Sequence, residues 1–197
     1  AYTEWRDKAN PRVLMCVHGL TRNGRDFDFL AEALAADYRV VCPDVVGRGR
    51  SDWLPVKTDY GFPQYVADMI TLIARLDVEA VHWVGTSMGG LIGMLIASLP
   101  GAPITRMVLN DVGPKITAAS IRRIAEYVGE APVFADLDAA EAYIREISAP
   151  FGPLTDAQWR HLTTHAVKPA EGGLAMVYDP GIGEPFRNAP LSMDIDL

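Results

Sequence analysis

The sequence has no excess of basic residues and no long apolar run, and each absence excludes a class of protein. Its 18 lysines and arginines are outnumbered by 25 aspartates and glutamates, which gives a net charge of −7. Nucleic-acid binding needs a clustered basic surface, so we expect no nucleic-acid partner. No stretch of about 18 apolar residues occurs, so we expect no membrane span.

Cysteine is also scarce. Cys16 and Cys42 lie in apolar strand-like runs, where free cysteines behave as small hydrophobic residues. We therefore expect neither a disulfide nor a metal pair, which favours a reducing compartment, most simply the cytoplasm. The opening residues, AYTEWRDKAN, lack the basic and apolar regions of a secretory signal.

The chain has 197 residues, enough for one sizeable hydrophobic core, and its texture changes near residue 113. Apolar runs in the first part predict strands at 12–18, 39–44, 80–85 and 104–111. Helical patterns lie between them at 27–38, from Pro63 onward, and at 88–99. This alternation predicts an α/β fold with a mostly parallel sheet. Strands apolar on both faces predict helices covering both sides of the sheet.

The second part has a different pattern. Helices are predicted at 116–130, 136–148 and 155–166, the stretch 178–197 is rich in proline and glycine, and no further strand is predicted. We therefore expect an α/β core over residues 1–113 and a helical cap with its linker over residues 114–197. Such a cap would cover the carboxyl edge of the sheet, where ligands bind in open α/β folds. Its aromatic residues either line an apolar pocket or form the cap's own core: Tyr127, Phe134, Tyr143 and Trp159.

One serine lies between two glycines where an apolar run gives way to a helical pattern. The segment from Gly85 through Ser87 to Gly89 has the G-x-S-x-G spacing of a nucleophile elbow. Side chains at Gly85 and Gly89 would collide in so sharp a turn, and we expect a strained backbone at Ser87. The spacing predicts Ser87 as a nucleophile, with the N–H of Met88 facing an oxyanion at a helix N-terminus.

Two other structures would place a serine between glycines. A closely packed strand–helix turn could carry an incidental serine at this position. A dinucleotide-binding loop would need G-x-G-x-x-G in the first βα unit. Here the glycines stand at 85, 89, 90 and 93, in the third unit, which favours the elbow.

A second loop fits the same chemistry. The segment His18-Gly19-Leu20 follows the first predicted buried strand. An oxyanion hole needs a second backbone donor beside the nucleophile. Gly19 lets the loop turn back, and the N–H of Leu20 is the candidate donor. Because His18 precedes the elbow, we expect it to support the loop through hydrogen bonds to the backbone.

Three motifs together resemble the α/β-hydrolase superfamily of serine esterases and lipases. They are HGL after a strand, PDVVGRGRSD at 43–52 after the next strand, and GTSMGG at the elbow. The middle motif is similar to the superfamily's D-x-x-G-x-G-x-S loop, in which Asp44, Gly47, Gly49 and Ser51 organise the backbone. A serine rather than an aspartate at the elbow argues against the haloalkane dehalogenase and epoxide hydrolase branches.

The resemblance implies a hydrolase that cleaves a carboxylic ester, lactone or thioester through an acyl-enzyme. It implies a small-molecule acyl substrate, no cofactor and no metal. Two alternatives stay open: a non-catalytic ligand-binding module of the same fold, and an acyltransferase, haloperoxidase or C–C bond hydrolase with the same elbow. The sequence makes no prediction of oligomeric state.

The base that such a serine needs is not evident. The superfamily's chain order is serine, acid, histidine, with the histidine after the last core strand. After Ser87 the only histidines are His161 and His165, four apart in a predicted cap helix. Such a pair could suggest a metal site, but no H-E-x-x-H frame accompanies it, so we expect polar residues on a helix face.

The acid is open between two interpretations. Asp111 follows the fourth predicted strand, where some relatives carry the acid, or it caps a turn in Asn-Asp-Val-Gly-Pro. The resemblance implies two further strands that carry the acid and the histidine. The first residues could also be the remnant of a strand. We therefore expect that the chain stops short of the full protein and that the histidine lies beyond residue 197.

Overall fold

The computed structural model describes residues 1–5, 10–188 and 194–196. Its central sheet contains five strands: β1 (Tyr2–Trp5), β2 (Val13–Val17), β3 (Arg39–Pro43), β4 (Val81–Thr86) and β5 (Ile104–Asn110). Their order across the sheet is β1-β3-β2-β4-β5. The strands from β2 to β5 run parallel, and β1 pairs antiparallel with β3. The expected strand near the start of the chain is therefore present, as an edge strand.

Three helices connect the parallel strands: α1 (Asp28–Leu34), α2 (Phe62–Arg75) and α3 (Met88–Ala97). Every residue of β2 and β3 is buried, which confirms a sheet covered on both faces. Pro63 lies in the first turn of α2, where its missing N–H costs nothing. Helix α1 is shorter than the predicted range of 27–38. A separate 3₁₀ turn at Gly24–Phe27 precedes it, and the helix ends at Leu34.

The second part of the chain contains the three predicted helices: α4 (Ala118–Ala125), α5 (Leu137–Ile147) and α6 (Asp156–Ala166). The expectation of no strand after residue 113 is wrong. Among the residues that the structure describes there are five short strands: β6 (Lys115–Ile116), β7 (Val133–Phe134), β8 (Val167–Ala170), β9 (Gly173–Met176) and β10 (Ile195–Asp196). The first and last of these pair with each other, and the other three form an antiparallel sheet in the order β7-β9-β8. The predicted purely helical cap is thus a mixture of helices and short strands.

The sequence pattern concealed the β8–β9 hairpin for a physical reason. Pro169 lies within β8, and proline usually argues against a strand because it donates no ladder hydrogen bond. Gly172 in the turn and Gly173 at the start of β9 both have positive φ, so the segment has the composition of a loop. The predicted loop at 178–197 contains a 3₁₀ turn at Pro180–Gly183 and helix α7 (Glu184–Asn188). Residues 189–193 and 197 of that loop lie outside the described residues.

One buried apolar cluster includes side chains from both sides of residue 113. The cluster contains Trp83 of β4 and Ile92 of α3 from the first part of the chain, and Phe134 and Trp159 from the second part. Phe134 and Trp159 are only 8% and 6% exposed, so these two aromatic rings belong to the packed core rather than to an open pocket wall. The division of the chain at residue 113 stays a prediction.

Strand β5 is the outermost strand of the described sheet beside β4. Val108 and Leu109 of β5 are exposed, unlike the buried side chains of β2 and β3.

In the described ranges, no helix has the length and apolar character needed to cross a membrane.

Candidate active site

Ser87 occupies the single residue between the end of β4 at Thr86 and the start of α3 at Met88. Its backbone has φ 49° and ψ −113°, a conformation that costs a non-glycine residue about 1–3 kcal/mol. The surrounding backbone holds it there. The N–H of Ser87 donates to the carbonyl oxygen of Asn110 at 2.9 Å, and its own carbonyl accepts from Gly90 at 2.9 Å and Leu91 at 3.1 Å.

The two flanking glycines allow this turn because the backbone is packed against itself. A Cβ placed on Gly85 would lie 2.5 Å from the carbonyl oxygen of Gly89. A Cβ on Gly89 would lie 2.0 Å from the carbonyl oxygen of Val17, at the end of the neighbouring strand. Trp83 adds a further tie, since its indole N–H donates to the carbonyl of Gly89 at 3.0 Å. Helix α3 therefore begins in direct contact with β2 and β4.

The loop at 18–20 passes beside Ser87. A Cβ on Gly19 would lie 3.8 Å from the Cβ of Ser87. The His18 ring bridges two backbone groups: Nδ1 lies 2.7 Å from the carbonyl oxygen of Gly19, and Nε2 accepts the N–H of Val45 at 2.9 Å. Since a carbonyl can only accept, Nδ1 carries the proton. Complete burial lowers the pKa of His18 to about 4, so the ring is neutral at pH 7.

Arg48 is fully buried, and no sequence pattern identified it as part of this region. Its Nε donates to the carbonyl oxygen of Leu20 at 2.8 Å, and its Nη2 lies 3.6 Å from the sulfur of Met88. Its Nη1 donates to the carbonyl of Val46 at 2.8 Å and to the hydroxyl of Tyr65 at 3.0 Å. No carboxylate in the described part of the chain forms an ion pair with it. The one sequence signal was its position inside the D-x-x-G-x-G-x-S loop.

That loop is organised around the buried carboxylate of Asp44. One oxygen accepts the N–H of Gly24 at 2.8 Å, and the other accepts the N–H of Arg50 at 3.0 Å. The hydroxyl of Ser51 donates to the carbonyl of Asp44 at 2.6 Å. A Cβ on Gly49 would lie 2.4 Å from the carboxyl carbon of Asp44, so the loop closes tightly over that carboxylate.

Asp111 lies beside Ser87 at the carboxyl edge of the sheet. The parallel register pairs Thr86 with Asn110, so the residues that follow each of them are neighbours. Asp111 also has positive φ, at 56°, and its side chain is exposed. Within the described ranges its carboxylate accepts no hydrogen bond. This position is compatible with both interpretations of Asp111, as the acid that orients a histidine and as a residue that caps the turn.

The structure does not bring a histidine to Ser87. All four histidines of the sequence lie in described segments, and none is within hydrogen-bonding distance of the Ser87 hydroxyl. His18 is occupied by backbone, and the ring of His82 packs on Tyr38. His161 and His165 lie on α6, where His161 contacts Asp28 and Arg25.

The geometry of a strained serine between a parallel strand and a helix, with a glycine loop beside it, defines a recognisable class of protein. A family model described as "alpha/beta hydrolase fold" matches residues 12–158. The chain therefore belongs to the α/β-hydrolase family, and the fold predicted from its sequence is confirmed.

Individual relatives extend this comparison. The chain is 55% identical over 193 residues to a "3-hydroxybutyrate-oligomer hydrolase" of Cupriavidus necator, with 96% of this chain and 66% of that protein covered. A putative hydrolase from Rickettsia typhi superposes with a TM-score of 0.92 at 34% identity, covering 100% of this chain and 67% of that one. An α/β-hydrolase from Novosphingobium aromaticivorans has a TM-score of 0.84 at 37% identity, covering 94% and 66%. The chain thus spans about two thirds of the length of these relatives.

Proposed function

We propose that the protein is a serine hydrolase that cleaves carboxylic esters through an acyl-enzyme on Ser87. The observation that carries this proposal is the strained backbone of Ser87, φ 49°, at the junction of β4 and α3 beside the Gly19 loop. Strain of this kind persists where the surrounding structure imposes it, and it is characteristic of functional sites. Membership of the α/β-hydrolase family supports the same chemistry.

The proposed reaction has two halves. The Ser87 oxygen attacks the acyl carbon while its proton passes to a general base, and the carbonyl oxygen becomes an oxyanion. The N–H groups of Leu20 and Met88 are the proposed donors to this oxyanion, and each such donor contributes about 3–4 kcal/mol to transition-state stabilisation. The C–O bond then breaks, the alcohol leaves with the proton, and water releases the acid from Ser87.

The proposed reaction needs a general base, but none of the four histidines of this sequence contacts Ser87. We propose that the base is a histidine outside these 197 residues. The match covers 66% of the Cupriavidus relative, so that protein extends beyond the matched region. Asp111, next to Ser87 on the sheet edge, is one candidate for the carboxylate that orients such a histidine. A carboxylate outside these residues is the other.

The substrate class is proposed from the relative. An enzyme named for 3-hydroxybutyrate oligomers acts on short chains of hydroxy acids joined by ester bonds. Because this chain is 55% identical to that enzyme over nearly the whole chain, we propose the same kind of substrate here. These substrates are short oligoesters of hydroxy acids, cleaved one ester bond at a time. The test incubates the full-length protein with dimers and trimers of 3-hydroxybutyrate and separates the products by chromatography.

In that test we expect release of monomer by the unaltered protein and a loss of at least about 10³-fold in kcat with Ser87→Ala. Ser98→Ala, at an exposed serine after α3, is the matched control and should retain activity. Transfer of the acyl group to added alcohols would indicate an acyltransferase instead. Cleavage of ketone substrates at a carbon–carbon bond would indicate the sister activity.

A non-catalytic binding module is the second candidate, and one observation favours it. No side chain of the described residues hydrogen-bonds to the Ser87 hydroxyl, so nothing in these segments activates it. Binding of oligoesters without turnover, unaffected by Ser87→Ala in calorimetry, would support this candidate over the hydrolase.

A further inference from the structure

Helix α6 contacts the core where the 3₁₀ turn at Gly24–Phe27 meets α1. The side-chain amide of Asn23 donates to the backbone carbonyl of His165 at 2.8 Å. His161 also contacts this region, with its Nε2 3.2 Å from the carbonyl oxygen of Arg25 and 3.1 Å from Oδ2 of Asp28. Two segments far apart in sequence therefore meet through imidazole and carboxylate groups.

Three potential metal ligands converge at this contact. Asp28, His161 and His165 each offer a ligand atom, and these atoms all lie within 4.8 Å of one another. The two histidines are four residues apart on α6, so both project from the same face of the helix. Their ring centroids are 4.6 Å apart. In a tetrahedral site with bonds of 2.0–2.1 Å, neighbouring ligand atoms stand about 3.4 Å apart, so small rotamer changes would close this group around an ion.

We propose that Asp28, His161 and His165 bind a divalent transition metal ion, with Zn²⁺ as the best match, and that the ion links α6 to α1. Two imidazole nitrogens and one carboxylate oxygen form a donor set that suits zinc, cobalt and nickel. Magnesium and calcium prefer all-oxygen sites and are not expected to bind here. Water would complete the coordination. This proposal is independent of the proposed ester hydrolysis, and it departs from the sequence-based expectation of no metal.

The surroundings of Asp28 are compatible with this role. Its side chain is 6% exposed, and that of His161 is 22% exposed, so the group is shielded but can be reached from solvent. Arg25 Nε lies 2.9 Å and 2.7 Å from the two carboxylate oxygens of Asp28. A carboxylate has about four lone-pair sites, so Arg25 can orient Asp28 while one site faces the ion. The positive charge of Arg25 lowers the attraction for a cation, so we expect moderate affinity.

A simple hydrogen bond between His161 and Asp28 is the competing explanation, and it makes a different prediction. It needs no contribution from His165, whose ring would then serve only as packing for His161. The metal site needs all three side chains. Substitution of His165 therefore distinguishes the two explanations.

The test is calorimetric titration of the tag-free, chelator-treated protein with ZnCl₂, and with CoCl₂ followed by visible absorption. We expect one ion per chain, and a loss of at least 10-fold in affinity for each of Asp28→Asn, His161→Gln and His165→Gln. His82→Gln, a histidine on β4 away from this contact, is the matched control and should bind as the unaltered protein does.

Two results would overturn the proposal: no saturable binding below about 1 mM zinc, or an affinity that His165→Gln leaves unchanged. If a variant fails to fold, histidine-ring NMR of the unaltered protein gives the answer. Addition of zinc should then shift the signals of His161 and His165 together. A shift confined to His18 or His82 would contradict the site.

Discussion

The guanidinium of Arg48 donates a 2.8 Å hydrogen bond to the carbonyl oxygen of Leu20. Its Nη2 lies 3.6 Å from the sulfur of Met88. Leu20 and Met88 are the two residues whose N–H groups we propose as oxyanion donors. One buried cation, with no carboxylate bound to it among the described residues, therefore contacts both residues.

We predict that Arg48→Met lowers kcat by about 10²-fold while KM changes little, because the two residues proposed as oxyanion donors lose a shared contact. Arg48→Lys should recover only part of this loss, since an ammonium keeps the charge but cannot reproduce the forked contacts. Steady-state kinetics with an activated ester measures both. Arg50→Met, at a neighbouring exposed arginine, is the control. A loss of stability with kcat unchanged would reduce Arg48 to a structural residue.

Gly89→Ala should prevent the elbow from packing. Its Cβ would stand 2.0 Å from the carbonyl oxygen of Val17, and neither backbone can move without disturbing β2 or α3. We expect a loss of at least about 3 kcal/mol in the free energy of unfolding, measured by urea denaturation. Gly113→Ala is the matched control, because a Cβ there meets nothing within 4 Å. Equal stabilities of the two variants would show that the elbow packs differently from this description.

Asp179 joins the segment after β9 to the core. Its buried carboxylate accepts hydrogen bonds from Lys57, from the hydroxyl of Tyr60 and from the N–H of Gly181. Asp179→Ala leaves these donors without their acceptor, and we expect a loss of about 3 kcal/mol in the free energy of unfolding. Asp138→Ala, whose exposed carboxylate pairs with Arg160, should change stability by less than about 0.5 kcal/mol. Comparable effects in chemical denaturation would contradict this role for Asp179.

His18 should stay neutral well into the acidic range. Its pKa is lowered to about 4 by burial, whereas in the unfolded chain it titrates near 6.5. Between these values the unfolded chain binds a proton that the folded protein does not. The stability that the neutral ring contributes is thus complete above pH 6.5 and is lost as the pH falls toward 4, a change on the order of 3 kcal/mol.

An NMR titration of the histidine rings checks this directly. The His18 signals should show the neutral Nδ1–H form at pH 5.5, because Nδ1 faces a carbonyl and Nε2 accepts an N–H. A titration midpoint for His18 near 6.5 in the folded protein would contradict the geometry of this loop.

Much of the central fold could be predicted from local pattern. Buried parallel strands are continuous apolar runs, so β2 to β5 were placed within one or two residues. The spacing of Gly85, Ser87 and Gly89 predicted a strand–turn–helix junction, and the junction lies there. The short strands after residue 113 were missed because strands of two to four residues are too short to carry an alternating pattern, and β8 and β9 also contain proline or glycine.

Contacts between distant segments could not be predicted in the same way. Arg48 is a charged residue in a glycine-rich loop, and nothing local indicates that it is buried against Leu20 and Met88. His161 and His165 form a visible pair, but their carboxylate neighbour, Asp28, lies far away in sequence. Such groups are brought together by tertiary packing, which composition and periodicity do not report.

The most direct test of the central claim is covalent labelling of the full-length protein with a fluorophosphonate, followed by mass spectrometry of its peptides. We predict one adduct per chain on the hydroxyl of Ser87, absent in Ser87→Ala and retained in Ser98→Ala. An unlabelled Ser87 in active, folded protein, or ester hydrolysis that continues undiminished in Ser87→Ala, would contradict the account.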